Sequence, residues 1–119
     1  MYNEKKQNLL ISVKSAFEGI SYCAMHERNM KIHIVAGVIA GFLSWWFSLD
    51  KYEILILLVT IEGVLVAEMI NTVVETLVNM ISPEFHPLAK IAKDVAAGAV
   101  LISAMFSLVV GYMLFFLKL

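Results

Sequence analysis

Three polar side chains are spaced so that they share one face of an otherwise apolar stretch. Glu68 and Glu75 lie about two helical turns apart, and Asn71 falls between them on the same face. Two carboxylates and an amide are suitable for binding Mg²⁺ or for accepting a proton from a hydroxyl group. The same spacing also fits a structural polar seam that hydrogen-bonds a partner helix. The chemical interpretation is favoured, because carboxylates inside membrane segments are costly and usually functional.

A second charged cluster lies nearer the C-terminus and consists of Lys90, Lys93 and Asp94. Lysine side chains supply point charges that bind phosphate groups. Lysines at this place also fit the ordinary anchoring of a membrane helix on its cytoplasmic side. The neighbouring Asp94 favours a binding site over simple anchoring.

A third charged cluster occupies residues 26–33. Glu27 and Arg28 are adjacent there, which fits either a functional carboxylate or a local ion pair at a membrane interface. His26 and His33 are predicted to be helix residues at the interface rather than ligands. The fold must bring the three clusters together if they form one site.

The composition is that of a membrane protein. The chain has 119 residues, of which 61% are hydrophobic, whereas soluble domains contain about 45–50% apolar residues. A soluble domain of this size has too much surface to hide such a composition. The net charge of −1 gives no reason to expect nucleic acid binding, and the single cysteine, Cys23, excludes an intrachain disulfide.

Stretches without charge define the membrane spans. Residues 95–117 carry no charged side chain and residues 32–49 carry only His33, and a spanning helix needs about 20 residues. The segment between them is also apolar apart from its polar stripe and a few other polar residues. We therefore expect an all-α integral membrane domain over residues 1–119, with an N-terminal surface helix at 1–28 and transmembrane helices at 30–49, 52–81 and 91–117.

The first 28 residues predict an amphipathic helix. Apolar residues recur there at helical spacing and polar residues occupy the other faces: Leu9, Leu10, Val13, Phe17 and Ile20 form the apolar stripe. Such a helix lies in the membrane interface. The alternative is a helix that packs its apolar stripe on the rest of the protein.

The distribution of basic residues predicts the orientation in the membrane. Most of them fall on one side of the predicted spans: Lys5, Lys6, Lys14, Arg28 and Lys31 precede the first span, and Lys90 and Lys93 lie between the second and third. Lys51 and Lys118 lie on the other side. The N-terminus and the second loop are thus predicted to be cytoplasmic and the C-terminus outside, which puts all three clusters on the side where ATP is.

Glycine and proline positions add two local predictions. Gly37, Gly41, Gly98 and Gly111 are expected to mark close packing between helices. The prolines at positions 83 and 87 are expected to break the helix between the second and third spans.

Three longer runs of sequence resemble the prokaryotic diacylglycerol kinase family. They are ERNMKIH at residues 27–33, EMINTVVE at 68–75 and EFHPLAKIAKDVAAGAVL at 84–101. The resemblance covers nearly the whole chain after residue 12. Within the family, ERN and HPLAK are similar to the Gram-positive branch, whose members act mainly on undecaprenol.

The resemblance implies a lipid kinase of the bacterial cell membrane that uses ATP and Mg²⁺ and works as a homotrimer with active sites shared between subunits. In the family pattern, Glu68 is the general base that takes the proton of the lipid hydroxyl, and Asn71 supports the lipid-binding site. Glu27 and Glu75 hold the metal ions that bridge the ATP phosphates, so both also count as ATP-binding residues.

The remaining nucleotide contacts are also implied by the resemblance alone. Lys93 neutralises phosphate charge, Asp94 helps to hold the ribose and His86 lies near the adenine. Lys31 is a further candidate site residue. Lys14 is the nearest substitute for the basic residues of the surface helix that commonly touch phosphate in the family.

Three features depart from the family pattern. Asn79 stands where the family often has an acidic residue, and Leu10 and Ile11 occupy part of the region that usually carries basic residues. Glu62 is an additional carboxylate within a predicted span, and its position six residues before Glu68 places it about 120° away around the helix. The family pattern gives Glu62 no role.

Four functional hypotheses follow. The first is ATP-dependent phosphorylation of undecaprenol to undecaprenyl phosphate, and the second is phosphorylation of diacylglycerol to phosphatidic acid. The third is a small proton-coupled transporter built on Glu68, which leaves Glu27, Lys93 and Asp94 without a task. The fourth is a membrane subunit without catalytic activity, whose polar seam only binds a partner.

Overall fold

Helices form all the regular secondary structure of residues 8–119, which are the residues that the computed structural model describes. The elements are α1 (Leu9–His26), α2 (Arg28–Trp46), α3 (Lys51–Ile81) and α4 (Pro87–Phe115), followed by a 3₁₀ turn at Phe116–Lys118. The predicted all-α class is confirmed. The first seven residues of the predicted surface helix, which include Lys5 and Lys6, lie outside the described part of the chain.

A single residue separates the first two helices. The backbone of Glu27 is extended, with φ −103° and ψ 118°, and its N–H donates to the carbonyl oxygen of Cys23 at 3.0 Å. Glu27 thus ends α1, and α2 begins at Arg28. Because an extended residue cannot continue a helix, the chain turns here and Glu27 lies at the corner.

Much of the apolar stripe of α1 is left exposed by the rest of the described chain. Cys23 is the buried residue of this helix, whereas Leu9, Leu10 and Phe17 are all well exposed. These three side chains therefore do not pack on the protein, as the alternative interpretation of the stripe requires. They are available to a membrane surface.

The turn between α2 and α3 is tightly specified. Ser48 has a positive φ of 54°, which lets the chain reverse within a few residues. Asp50 and Glu53 then form a capping box, in which the Asp50 carboxylate accepts from the Glu53 backbone at 2.9 Å and the Glu53 carboxylate accepts from the Asp50 backbone at 3.1 Å. The two bonds satisfy backbone donors that the first turn of a helix otherwise leaves unpaired.

Contacts at both ends align α3 and α4 antiparallel. At one end Lys118 forms an ion pair with Glu53 at 2.9 Å. At the other end Lys93 donates to the side-chain oxygen of Asn79 at 2.7 Å. A buried apolar cluster lies near the first end, formed by Leu49, Leu57, Val110, Leu114 and Phe115. The register between the two helices is thus fixed by polar contacts at the ends and by packing within.

Of the four glycines predicted to mark close helix packing, Gly37 does so within the chain. A Cβ atom added to Gly37 would lie 3.2 Å from Cγ2 of Ile61, so α2 and α3 approach closely there. An added Cβ at Gly41, Gly98 or Gly111 would meet no atom within 4 Å. Close packing at these three positions is therefore absent within the single chain.

By length and composition, one helix among residues 8–119 is suited to crossing a membrane, and it spans Pro87–Lys118. Many large apolar side chains of this helix face outward, including Ile102 and Leu108 at 71% and 74% exposure. Apolar surface of this kind requires a cover of lipid or of another protein surface.

The capping box predicts a measurable contribution to stability. Replacing Asp50 by alanine removes the acceptor for the first turn of α3 and is expected to lower the free energy of unfolding by about 1 kcal/mol. Thermal unfolding in detergent micelles, followed by circular dichroism, measures the change. Asp50→Asn is the matched control, since asparagine caps about as well, and equal melting temperatures for wild type and Asp50→Ala would contradict the prediction.

Candidate functional site

The polar stripe of α3 faces the interior of the helix packing. Glu68 is 2% exposed, Asn71 is also buried, and Glu75 is half-buried. The amide nitrogen of Asn71 donates to Oε1 of Glu75 at 2.8 Å, so one turn of helix links the two residues. The spacing in the sequence thus gives one continuous polar face in the structure.

Two acceptors of this stripe have no hydrogen-bond donor. Oε2 of Glu68 and Oδ1 of Asn71 are buried, and neither has a partner within residues 8–119. A buried acceptor without a donor costs about 1–3 kcal/mol, and more when it is charged. A finished structural seam would satisfy these atoms. Their orphaned state is what a site that receives a ligand from outside requires.

The nearest cation-forming group to Glu68 is a residue that sequence reasoning left out of the site. Nε2 of His33, on α2, lies 4.0 Å from Oε2 of Glu68. Spacing along the chain gives no signal for this contact, because it joins two different helices. His33 was predicted to be only an interfacial helix residue, and the structure places it beside the predicted base.

Glu27 also contributes to this region through its corner position. Its carboxylate and that of Glu75 are near enough to Glu68 to repel negative charge there. Glu27 also immediately precedes α2, where a helix N-terminus favours a carboxylate. No ion pair forms between Glu27 and Arg28 within the described residues, so the ion-pair alternative finds no support.

A polar cleft adjoins the stripe at the end of α3. It has a volume of about 360 Å³ and lies between α3, the loop at residues 82–86 and the start of α4. Asn79, Lys93 and Asp94 are among its lining residues. Asn79 lies one helical turn beyond Glu75, so the cleft continues the polar face of α3.

Asn79 has a clear structural partner although it departs from the family pattern. Its side-chain oxygen accepts the 2.7 Å hydrogen bond from Lys93. The amide thus does part of what an acidic residue would do at this position, because it holds the ammonium group at the mouth of the cleft. This hydrogen bond joins α3 to α4, and no pattern in the sequence predicted it.

The other residues predicted to bind the nucleotide, Asp94 and His86, make contacts with residues close to them in the sequence. Asp94 pairs with Lys90 at 2.6 Å, and both side chains are exposed. A surface pair of this kind contributes little free energy, so the pairing with Lys90 holds Asp94 only weakly. Nδ1 of His86 accepts from the backbone N–H of Leu88 at 3.0 Å and so caps α4.

Three further residues lie away from these contacts. Lys14, Lys31 and Glu62 are exposed, and within residues 8–119 none of them makes a side-chain hydrogen bond or ion pair. The structure therefore does not bring Lys14 or Lys31 into contact with the stripe or the cleft.

The donor set fits Mg²⁺ only together with a nucleotide. Among residues 8–119, no three Asp, Glu, His or Cys side chains converge closely enough to hold a metal ion. Protein sites for nucleotide-bound Mg²⁺ normally use one or two carboxylates and leave the other positions to phosphate and water. Glu27 and Glu75 match that pattern.

The profile of the prokaryotic diacylglycerol kinase family matches residues 14–115. The chain belongs to this family. The match includes all four helices apart from the first residues of α1, and it contains every candidate site residue named above.

Relatives of this family include kinases for two lipids. The chain is 40% identical over 107 residues to the undecaprenol kinase of Bacillus subtilis, with 87% of this chain and 85% of that protein covered. It is 38% identical over 105 residues to the diacylglycerol kinase of Synechocystis sp., covering 87% of this chain but 60% of that longer protein. The diacylglycerol kinase of Escherichia coli is 27% identical over 88 residues, covering 74% and 72% of the two chains.

The Asn79–Lys93 hydrogen bond predicts an effect on nucleotide binding. Asn79→Leu removes the acceptor that holds Lys93 at the cleft, so affinity for Mg·ATP is expected to fall several-fold, by about 1 kcal/mol, the usual contribution of one hydrogen bond. Asn79→Asp is the control, because it keeps an acceptor for the ammonium group and is expected to bind at least as tightly as wild type. Equilibrium binding of Mg·ATP in micelles measures both, and equal affinity of the leucine and aspartate variants would contradict the prediction.

Proposed function

We propose that this protein transfers the γ-phosphoryl group of ATP to a membrane lipid alcohol, and that undecaprenol is its preferred substrate. The observation that carries the proposal is the buried carboxylate of Glu68, whose Oε2 atom has no donor, on a polar face that continues through Glu75 to Lys93. This arrangement offers a base at membrane depth and a cation near the surface.

The proposed reaction uses Glu68 as the general base. The lipid hydroxyl gives its proton to the carboxylate while its oxygen bonds to the γ-phosphorus of ATP. The bond from that phosphorus to the bridging oxygen breaks, and ADP leaves with the electron pair. Because Glu68 is buried among helices, water is poorly placed to compete with the lipid alcohol as acceptor.

Glu27 and Glu75 are the proposed holders of Mg²⁺. When bound, the ion neutralises charge on the phosphates of ATP, which is what phosphoryl transfer mainly requires. The chain's own contribution is to fix the two carboxylates. The extended backbone of Glu27 holds one at the corner between α1 and α2, and the amide of Asn71 orients the other.

The cleft beside Lys93 is the proposed nucleotide site. Lys93 offers a positive charge to the phosphates, and Asp94 exchanges Lys90 for the ribose hydroxyls. His86 lies at the start of α4, where it is near enough to the cleft to contact the adenine. Each of the three side chains lines this cleft, which supports a common ligand.

The proposed setting is the bacterial cell membrane, with α1 on the cytoplasmic surface and α2, α3 and α4 crossing it. The N-terminus and the loop between α3 and α4 would face the cytoplasm and the C-terminus the outside. We further propose a homotrimer with shared sites. The wide exposure of apolar residues and the open cleft support both ideas, since one copy alone encloses neither lipid nor nucleotide.

Diacylglycerol is the second candidate substrate. The Synechocystis and Escherichia coli relatives carry the name diacylglycerol kinase. The identity to the Bacillus subtilis undecaprenol kinase is 40% and the coverage is high in both chains, which favours undecaprenol. Membership of a kinase family argues against the transporter and the partner-binding subunit.

Parallel assays of the two lipids test the proposed function. Purified protein in mixed micelles receives labelled ATP and Mg²⁺, with undecaprenol in one tube and diacylglycerol in the other at equal mole fraction. Faster labelling of undecaprenyl phosphate is expected. Faster labelling of phosphatidic acid would reverse the substrate assignment, and no label in either lipid from folded protein would reject the kinase.

Glu68→Gln tests the assignment of the base. The amide keeps the shape and the burial of the side chain but cannot take a proton, so turnover is expected to fall by about 10²–10⁴-fold. Mg·ATP affinity is expected to stay within about twofold, because Glu68 faces the lipid hydroxyl rather than the nucleotide. Turnover at the wild-type rate in this variant would reject Glu68 as the base.

A further inference from the structure

The orphaned oxygen of Glu68 requires a donor, and the described residues offer few. The amide nitrogen of Asn71 is already bonded to Glu75, and the hydroxyl of Thr72 donates to the backbone oxygen of Glu68 itself at 3.1 Å. Thr72 is therefore not free to turn toward Oε2, and the second N–H of Asn71 makes no hydrogen bond to that atom. His33 is the remaining polar neighbour, and its ring makes no hydrogen bond within residues 8–119.

Packing brings the histidine to this place. Gly37 lies one turn beyond His33 on the same face of α2, and its lack of a side chain lets α2 approach Ile61 of α3 closely. The ring of His33 can therefore reach across to α3. Closing the gap from 4.0 Å to a normal N–H···O distance of about 2.9 Å needs a movement of about 1 Å.

The ring also lines a cavity between α2, α3 and α4. The cavity has a volume of about 180 Å³, and no charged side chain lines it. The two hydroxyl groups that line the cavity donate to backbone oxygens of their own helices. Thr60 donates to Ile56 at 2.7 Å, and Ser107 donates to Ala104 at 2.6 Å. The cavity gives the ring room to turn, and within residues 8–119 Glu68 is the carboxylate that lies within 4.0 Å of the ring.

We propose that His33 is a positioning residue for Glu68, whose Nε2–H group holds Oε2 of the carboxylate so that the other oxygen faces the lipid hydroxyl. The inference rests on the proposed lipid kinase activity. A donor in a site of low polarity stabilises a carboxylate strongly, because little water screens the interaction. The proton of the lipid alcohol passes to Glu68, and His33 keeps its own proton throughout the step.

Three substitutions at position 33 test the proposal. His33→Leu keeps an apolar side chain of similar size but has no donor, and kcat is expected to fall by about 10–100-fold, as misplacement of a reacting group by 1 Å does. His33→Gln carries an amide nitrogen at the ε position and is expected to recover kcat to within about threefold of wild type. His33→Asn carries its nitrogen at the δ position and is expected to stay near the leucine variant.

His26→Leu is the matched control. His26 ends α1, stacks on Tyr22 and lies within 3.0 Å of the backbone oxygen of Tyr22 through Nδ1, so it makes no contact with Glu68. Its kcat is expected to equal that of wild type. For all variants, KM for Mg·ATP and the melting temperature in micelles are measured with kcat, and His33→Leu is expected to change kcat with KM for Mg·ATP within about twofold.

Three results would overturn the inference. Wild-type kcat in His33→Leu would remove any role for the ring. A parallel loss of kcat, nucleotide affinity and melting temperature would make His33 a structural residue, and equal rates for the glutamine and asparagine variants would exclude a donor at the Nε2 position. Absence of lipid phosphorylation by the wild-type protein itself would instead overturn the proposed function, which separates the two failures.

Discussion

The burial of one carboxylate, Glu68, is the constraint on which the rest of this structure depends. A charged group placed at 2% exposure among apolar helices is costly unless other groups compensate for it. Three neighbouring residues affect the free-energy cost of burying this carboxylate. Asn71 lies on the same face, His33 approaches from α2, and Gly37 lets the two helices come close. A fold optimised for stability alone would place a hydrophobic residue at position 68.

Helix α3 connects the two halves of the candidate site. It has 31 residues and so measures about 46 Å at 1.5 Å per residue, which exceeds the roughly 30 Å of a bilayer core. The end of α3 beyond Glu75 carries Asn79 to the polar cleft, which is the proposed nucleotide site, while Glu68 lies about two turns before Glu75. One rigid element thus sets the distance between Glu68, the proposed base, and Asn79, which accepts the hydrogen bond from Lys93 of α4.

The single chain leaves much of its apolar surface uncovered. Long rows of exposed residues on α2, α3 and α4 are suited to lipid or to other copies, and Gly41, Gly98 and Gly111 have open space beside them. Glu62 adds an exposed carboxylate to this outer surface. Such a surface agrees with the proposed homotrimer in a membrane, in which lipid and the other copies would cover it.

The sequence by itself determined the helices and the residues that share a face within each. The all-α class, the stripe of Glu68, Asn71 and Glu75, and the break between α3 and α4 all follow from spacing, charge and proline positions along one segment. These features depend on neighbours within a few residues of one another, which is why a sequence pattern predicts them. The family resemblance rested on the same local runs, and the family profile confirmed the family membership.

Only the tertiary structure decided which residues meet across helices. The approach of His33 to Glu68, the bond from Lys93 to Asn79 and the ion pair of Lys118 with Glu53 each join residues that are far apart in the chain. The same reason explains the four predicted glycines, of which only Gly37 is in close contact with a neighbouring helix within the chain. Packing over the whole length of each helix sets its rotation and its position along the neighbouring helices. The residue type at a single position therefore does not predict which residue of another helix it will contact.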